Sequence, residues 1–133
     1  MALAHAAKAR GVGVITTSSG GIAGPGTATP VPRVPGYHVP YAERVRREAD
    51  VMTIAVGLIT EPRHAEEILQ NGQADLIALA RELLWNPHWP AHAARELGMP
   101  DYLDLLPRGY AWWLKRREDI RRVTADARKK GES

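Results

Sequence analysis

Three short apolar segments that alternate with helical patterns constrain the fold of this chain more than any other feature. They occupy residues 12–15, 51–57 and 75–80, and Val, Ile, Leu and Ala dominate them. Segments of this length and composition predict β-strands. Strands that alternate with helices form parallel βα units, and nearly continuous apolar strands suit a parallel sheet that is covered on both faces. The sequence therefore predicts an α/β fold.

Helical patterns lie before, between and after these strands, at residues 2–10, 40–49, 62–70, 81–85, 90–97 and 110–130. Thr60 is expected to cap the third of these helices, with Pro62 in its first turn, and Asn71 and Gly72 are expected to end it. Residues 18–36 are rich in Gly, Pro, Thr and Ala and show no helical or strand period. That composition predicts a long loop, and long loops are often functional.

A chain of 133 residues is too short for a complete (β/α)8 TIM barrel, which needs about 250 residues. Three strands with their helices would instead form part of such a barrel. The sequence opens on a helix with no strand before it, which we take as a further indication of a partial barrel. We therefore expect a partial (β/α)8 TIM barrel with its helices and a C-terminal tail.

A candidate phosphate site follows the second and third predicted strands. Gly57 allows the backbone of the next loop to approach a ligand closely, because glycine has no side chain. Arg81 directly follows the third strand at the start of a short helix, where unpaired N–H groups and a permanent charge suit a phosphate. In (β/α)8 barrels the loops after strands 7 and 8 and a short extra helix often bind phosphate. The alternative is that Arg81 pairs with Glu82 or another surface carboxylate.

Four segments of the chain resemble the old yellow enzyme family of flavin oxidoreductases. Their sequences are GVGVITTSSGG at residues 11–21, PGYHVPYAE at residues 35–43, VGLITEP at residues 56–62 and ADLIALARELL at residues 74–84. The resemblance assigns the three strands to positions 6–8 of the barrel. It implies a protein that binds FMN, takes hydride from NADPH or NADH, and reduces the activated carbon–carbon double bond of an electrophilic alkene.

The resemblance also implies cofactor-binding roles for four residues. Gly57 and Leu58 would contact the ribityl phosphate of FMN through their backbone, and Arg81 would bind the phosphate itself. Ala80 stands where the family usually has a glycine whose N–H faces the phosphate. A methyl group keeps that N–H, but it would lower FMN affinity if it crowds the ligand or excludes a positive φ. Residues 18–21 match the loop after strand 6, near the flavin.

No catalytic residue is expected in this chain. The family's N-terminal flavin loops, its substrate-orienting histidines and its proton-donating tyrosine match no motif here, and Tyr37 and Tyr41 lie in a different segment. A general acid must be placed against its substrate. We therefore expect the isolated chain to bind FMN poorly and to lack ene-reductase activity. A truncated gene product without an independent role is a further alternative.

Composition excludes several other kinds of site. The chain has no cysteine, and so no disulfide or thiolate metal site. No apolar run approaches the roughly 18 residues of a membrane span, and residues 1–10 lack a signal-peptide pattern, so we expect a cytoplasmic location. His88 and His92 have a spacing that can bind zinc on a helix, but Pro90 lies between them. No third ligand is evident, and no metal site is expected.

The C-terminal segment, residues 99–133, is predicted as a second region after the barrel part at residues 1–98. It carries much of the basic excess behind the net charge of +3. A basic helix suits nucleic acid or another anionic surface, and a non-enzymatic binding module is the alternative function. A solvated helix with internal ion pairs is expected instead, because no nucleic-acid motif accompanies it. The resemblance also implies that Arg108, Tyr110 or Trp112 could reach a neighbouring subunit's active site in a homo-oligomer.

Overall fold

The computed structural model describes residues 1–18 and 34–131, with side chains as far as residue 128. Most of the predicted long loop, including residues 19–21 of the segment that matches the family's loop near the flavin, lies outside the described residues. The chain divides into two compact units, residues 1–87 and 88–133. The predicted boundary at residues 98 and 99, which came from the resemblance, stays a prediction.

A parallel three-stranded sheet organises the first unit, as the sequence predicted. Its strands are β1 (Val14–Thr16), β2 (Met52–Ala55) and β3 (Leu76–Ile77), in the spatial order β1-β2-β3. The last paired residues of β2 and β3 are Ala55 and Ile77. Both strands are shorter than the apolar segments at residues 51–57 and 75–80, because the chain turns away after the last pair. The sheet supports a partial α/β fold, and the (β/α)8 barrel stays a prediction.

Four helices belong to this unit, in the chain order expected from the sequence. They are α1 (Ala2–Ala9), α2 (Val39–Ala49), α3 (Pro62–Gln70) and α4 (Arg81–Trp85). The predicted apolar stripe of α3 is present, since Ala65 and Ile68 are buried. Asn71 caps the C-terminus of α3, as predicted.

The predicted N-cap of α3 is wrong by one residue. Glu61, not Thr60, precedes the helix, and the side chain of Glu61 makes no capping hydrogen bond. The physical reason is Pro62 at the first helical position, because a proline disfavours the helical region for the residue before it. Glu61 accordingly has an extended backbone, with φ of −89° and ψ of 130°. The helix can therefore begin only after Glu61.

The amino ends of β2 and β3 are held together by one carboxylate. Asp75 accepts hydrogen bonds from the backbone N–H of Thr53 at 2.9 Å and from Nε of Arg46 at 3.0 Å. Arg46 also donates to the carbonyl of Gly72 at 3.1 Å. Near this edge, Ala49 and Val51 form a small apolar core with Ala4. These contacts fix β3 beside β2, so the carboxyl ends of the strands lie together at the opposite edge.

The second unit contains α5 (Trp89–Glu96), a 3₁₀ helix (Tyr102–Leu105) and the long α6 (Arg108–Gly131). Leu103 and Ala111 are buried in it. Lys115 of α6 donates to Asp104 at 2.7 Å, and this hydrogen bond raises the pKa of Lys115. No helix in the described part of the chain is long and apolar enough to cross a membrane.

Candidate functional site

An open cleft of about 410 Å³ lies at the carboxyl edge of the sheet. The loop after β2, residues 56–60, forms one wall, and the segment after β3, residues 78–82, forms another. Tyr37 and Trp85 complete the lining. Its volume is within the roughly 300–1,000 Å³ of small-molecule sites, and the carboxyl ends of parallel strands are where such sites form.

The four residues with predicted cofactor roles line this one cleft. Gly57 and Leu58 come from the loop after β2, and Ala80 and Arg81 come from the segment after β3. They meet because β2 and β3 are parallel neighbours whose last paired residues are level with each other. The structure therefore brings together residues that are more than twenty positions apart in sequence.

Gly57 is needed for the turn, and the group that approaches it closely belongs to the protein. Its φ is +120°, which side-chain-bearing residues rarely adopt. A Cβ built on Gly57 would lie 3.1 Å from the ring of Tyr37 and 3.2 Å from the backbone nitrogen of His38. The ring of Tyr37 thus lies close to Gly57, and the close approach of a ligand to the backbone stays a prediction.

Leu58 continues the turn in the left-handed region, with φ of +52°. For a residue with a side chain this backbone costs about 1–2 kcal/mol. Such strained residues cluster at ligand clamps and active sites. Within the described residues, the N–H groups of Gly57 and Leu58 donate no hydrogen bond. They are therefore not engaged by another described group of the protein.

Ala80 does not have the positive φ that would call for glycine. Its φ is −118° and its ψ is −84°. The carbonyl of Ala80 accepts hydrogen bonds from the N–H groups of Leu83 and Leu84 at 3.1 and 3.3 Å, which start α4. Crowding of a ligand by the methyl group stays a prediction.

Arg81 is the first residue of α4 and is exposed. Across the described residues its guanidinium forms no ion pair and no hydrogen bond, so it does not pair with Glu82. An unpaired guanidinium presents a planar fork of donors that matches phosphate and carboxylate oxygens. The cleft thus combines a free cation with unused backbone donors.

Tyr37 is the lining residue whose position the sequence did not predict. It lies in the segment before α2 rather than after a strand. The signal that could have found it is the Pro35-Gly36 pair, which favours a tight turn and so a chain that folds back. The titratable groups among the described lining residues are Tyr37, Arg81 and Glu82, and no pair of them forms an acid–base dyad.

The remaining candidate residues lie in the second unit. His88 is the N-cap of α5 and His92 lies inside that helix. The described residues include no group of three His, Asp or Glu side chains that could hold a metal ion. Arg108, Tyr110 and Trp112 lie exposed in the first turns of α6. Their predicted contact with a neighbouring subunit stays a prediction.

Several basic residues of α6 have partners within the second unit. Arg117 pairs with Glu118 at 2.7 Å, and Arg122 pairs with Asp119 at 3.1 Å. Arg116 lies over the ring of Trp112, at 5.1 Å from its centroid. These contacts agree with a solvated helix that carries its own ion pairs. They do not favour the alternative of a nucleic-acid-binding module.

Comparison with known proteins gives one consistent group of relatives. Residues 4–99 match the profile of the NADH:flavin oxidoreductase / NADH oxidase family. The chain is 55% identical over 91 residues to an NADPH dehydrogenase of Geobacillus sp. (strain WCH70), covering 68% of this chain and 26% of that protein. It is 54% identical over 96 residues to an NADPH dehydrogenase of Halalkalibacterium halodurans, covering 72% and 27%. It is 50% identical over 91 residues to one from Listeria monocytogenes serotype 4b, covering 68% and 26%.

The chain therefore spans about a quarter of the length of these curated relatives. The matched region contains the whole cleft, with Gly57, Leu58, Ala80 and Arg81. Most of α6 lies beyond it.

Proposed function

Because the chain belongs to the NADH:flavin oxidoreductase / NADH oxidase family, we propose that it supplies the FMN phosphate site of an NADPH-dependent flavin oxidoreductase. The observation that carries this proposal is the meeting of the unpaired Arg81 with the unused N–H groups of Gly57 and Leu58 in one cleft. The names of the relatives, NADPH dehydrogenases, support NADPH as the hydride donor.

The residues of the cleft fit a phosphate monoester. A phosphate carries up to two negative charges and needs several donors, which Arg81 and the backbone of Gly57 and Leu58 offer. Hydrogen bonds to a charged group contribute about 1.5–3 kcal/mol each. Ala80 lies beside Arg81 on the same wall of the cleft, and its N–H donates no hydrogen bond within the described residues. The fit therefore depends on backbone donors, which only a substitution by proline removes, and on one replaceable cation.

When bound, FMN would supply the hydride transfer between NADPH and an electrophilic alkene. The residues of this chain would bind and orient the phosphate end of that cofactor. No described lining residue has the placement of a proton donor, so we propose that the isolated chain has no ene-reductase activity. A cytoplasmic location and a homo-oligomer formed through the C-terminal tail are part of the same proposal.

The experiment is a titration of the ¹⁵N-labelled chain with FMN and, separately, with riboflavin, which lacks the phosphate. We expect FMN to shift the amide signals of Gly57, Leu58 and Arg81 and to bind more tightly than riboflavin. Arg81→Ala should weaken FMN binding by about 10–150-fold, which corresponds to the loss of one charge-assisted hydrogen bond. Arg121→Ala, at an exposed arginine of α6, is the matched control and should bind FMN as the wild type does.

Equal affinities for FMN and riboflavin would contradict the phosphate site. NADPH oxidation by the FMN-loaded chain is measured in parallel, and the expected rate is the background rate. Tight, stoichiometric FMN with turnover would contradict the proposal that the isolated chain is inactive.

A further inference from the structure

The tight turn at residues 35–38 is fastened to the loop after β2. The N–H of Gly36 donates to the carbonyl of Gly57 at 2.7 Å. Within the turn, the N–H of Tyr37 donates to the carbonyl of Val34 at 3.1 Å, and the N–H of Val39 donates to that of Gly36 at 2.8 Å. The turn is therefore ordered by its own hydrogen bonds and reaches Gly57 through a short additional one.

Two glycines at this turn and the neighbouring loop lie close to aromatic rings. On one side, a Cβ on Gly36 would lie 3.0 Å from the ring of His64, which belongs to α3. On the other side, a Cβ on Gly57 would lie 3.1 Å from Cδ1 and Cε1 of Tyr37. Gly36 and Gly57 both have positive φ values, +74° and +120°. An aromatic ring thus lies close to the backbone of each glycine, and an added Cβ would require its neighbours to shift by a few tenths of an ångström.

The loop that Tyr37 covers is the one under backbone strain. Leu58 follows Gly57 and has a left-handed φ. Strained conformations persist only where the surrounding structure determines them. Within the described residues, the ring of Tyr37, the backbone nitrogen of His38 and the hydrogen bond from Gly36 all lie against Gly57. Tyr37 also lines the cleft and is half-buried.

We propose that Tyr37 is a positioning residue for the phosphate site. Its ring holds Gly57 and Leu58 in their left-handed turn, so that their N–H groups stay unbonded at the cleft. The holding of the turn is independent of any ligand, whereas its benefit to phosphate binding rests on the proposed function. Tyr37 acts through the ring rather than the hydroxyl, since it is the ring atoms that contact Gly57.

The first test needs no ligand. In the full chain, amide exchange of Gly36 and the φ of Leu58, obtained from NMR coupling constants, are compared among wild type, Tyr37→Phe, Tyr37→Ala and Tyr41→Ala. Tyr41 is exposed and does not line the cleft, so its variant is the matched control. We expect Tyr37→Ala to speed exchange at Gly36 about tenfold, because local opening governs exchange, and to release the positive φ of Leu58. Tyr37→Phe and Tyr41→Ala should behave as the wild type.

Exchange at Gly36 within twofold of the wild type in Tyr37→Ala, with φ of Leu58 still positive, would overturn the proposal. If Tyr37→Ala does not fold, Tyr37→Leu replaces it, because leucine keeps apolar bulk without the flat ring. Tyr37→Leu should give faster amide exchange at Gly36 than Tyr37→Phe. Equal exchange in these two variants would also contradict the proposal that the aromatic ring holds the turn.

The second test uses FMN and riboflavin as probes. We expect Tyr37→Ala to weaken FMN binding about tenfold more than riboflavin binding, with Tyr37→Phe close to the wild type. If Arg81→Ala weakens FMN binding but Tyr37→Ala does not, the proposal for Tyr37 fails and the phosphate site stands. If Arg81→Ala has no effect on FMN binding, the phosphate site fails, and the ligand-free measurements still decide whether Tyr37 holds the turn.

Discussion

Replacement of Gly57 by alanine tests the geometry of the cleft most directly. The substitution adds one methyl group at a residue with φ of +120°, and that methyl would lie 3.1 Å from the ring of Tyr37 and 3.2 Å from the nitrogen of His38. The backbone strain costs about 1–3 kcal/mol. Overpacking against neighbours that cannot move freely adds about 1–3 kcal/mol. The free energy of unfolding should therefore fall by about 2–6 kcal/mol.

Two other glycines of the same unit separate these two costs. Gly11 has φ of +87° with no atom within 4 Å of its added Cβ, so Gly11→Ala measures the backbone cost alone. Gly13 has neither a positive φ nor a close atom. Gly13→Ala should be neutral, or stabilising by about 0.4–1 kcal/mol through the unfolded chain.

The assay is urea unfolding of the three variants and the wild type, monitored by a spectroscopic signal that reports on the first unit. We expect Gly57→Ala to lose about 1–3 kcal/mol more than Gly11→Ala, which is the part due to contact. In a Tyr37→Ala background that excess should shrink, since Tyr37 supplies two of the three nearest atoms. Equal losses for Gly57→Ala and Gly11→Ala would refute the close packing of Tyr37 on Gly57.

Three further predictions concern contacts away from the cleft. Asp75→Ala should lower the free energy of unfolding by about 2–4 kcal/mol in the same urea assay, because it leaves the N–H of Thr53 and the guanidinium of Arg46 without their shared acceptor; a loss below about 0.5 kcal/mol, typical of surface substitutions, would contradict that role. The hydrogen bond from Lys8 lowers the pKa of Asp50 below 3.8. The ionised carboxylate of Asp50 therefore stabilises the fold above pH 3.8, and this stabilisation is lost as the pH falls through the lowered pKa. The free energies of unfolding of wild type and Asp50→Asn should therefore converge at low pH. A difference between them that grows as the pH falls would contradict the lowered pKa of Asp50. Duplex DNA should give no band shift at low salt, whereas a salt-dependent shift that is lost when the four arginines at residues 116–122 are replaced would support the binding-module alternative.

The order of elements was predictable because local rules govern it. Apolar runs of strand length and helical periods predicted the parallel α/β arrangement that β1, β2 and β3 form. Asn71 and Gly72 predicted the end of α3, and the start of α4 at Arg81 was predicted as well. The lengths of the strands were overestimated, since pairing ends where the neighbouring strand turns away rather than where the apolar run ends. The N-cap at Thr60 was wrong because Pro62 acts on the residue before it.

The candidate site was likewise predictable only in part. Gly57, Leu58, Ala80 and Arg81 follow two parallel strands, and residues at the carboxyl ends of neighbouring parallel strands come together whatever their side chains are. Their assembly could therefore be predicted from the linear sequence together with the family resemblance. The backbone of Ala80 could not, because a dihedral angle depends on the hydrogen bonds that start α4.

Tyr37 belongs to the part that no local rule predicts. It lies twenty residues before Gly57, and it reaches the cleft because Gly36 donates to the carbonyl of Gly57 and two glycines leave room for aromatic rings. Hydrophobic periods and helix-breaking residues act within a few positions of the chain. They were sufficient to predict the helices and strands and the residues at the ends of the strands. Contacts between segments that are distant in sequence depend on the packed backbone, and they place the ring of Tyr37 on the strained turn.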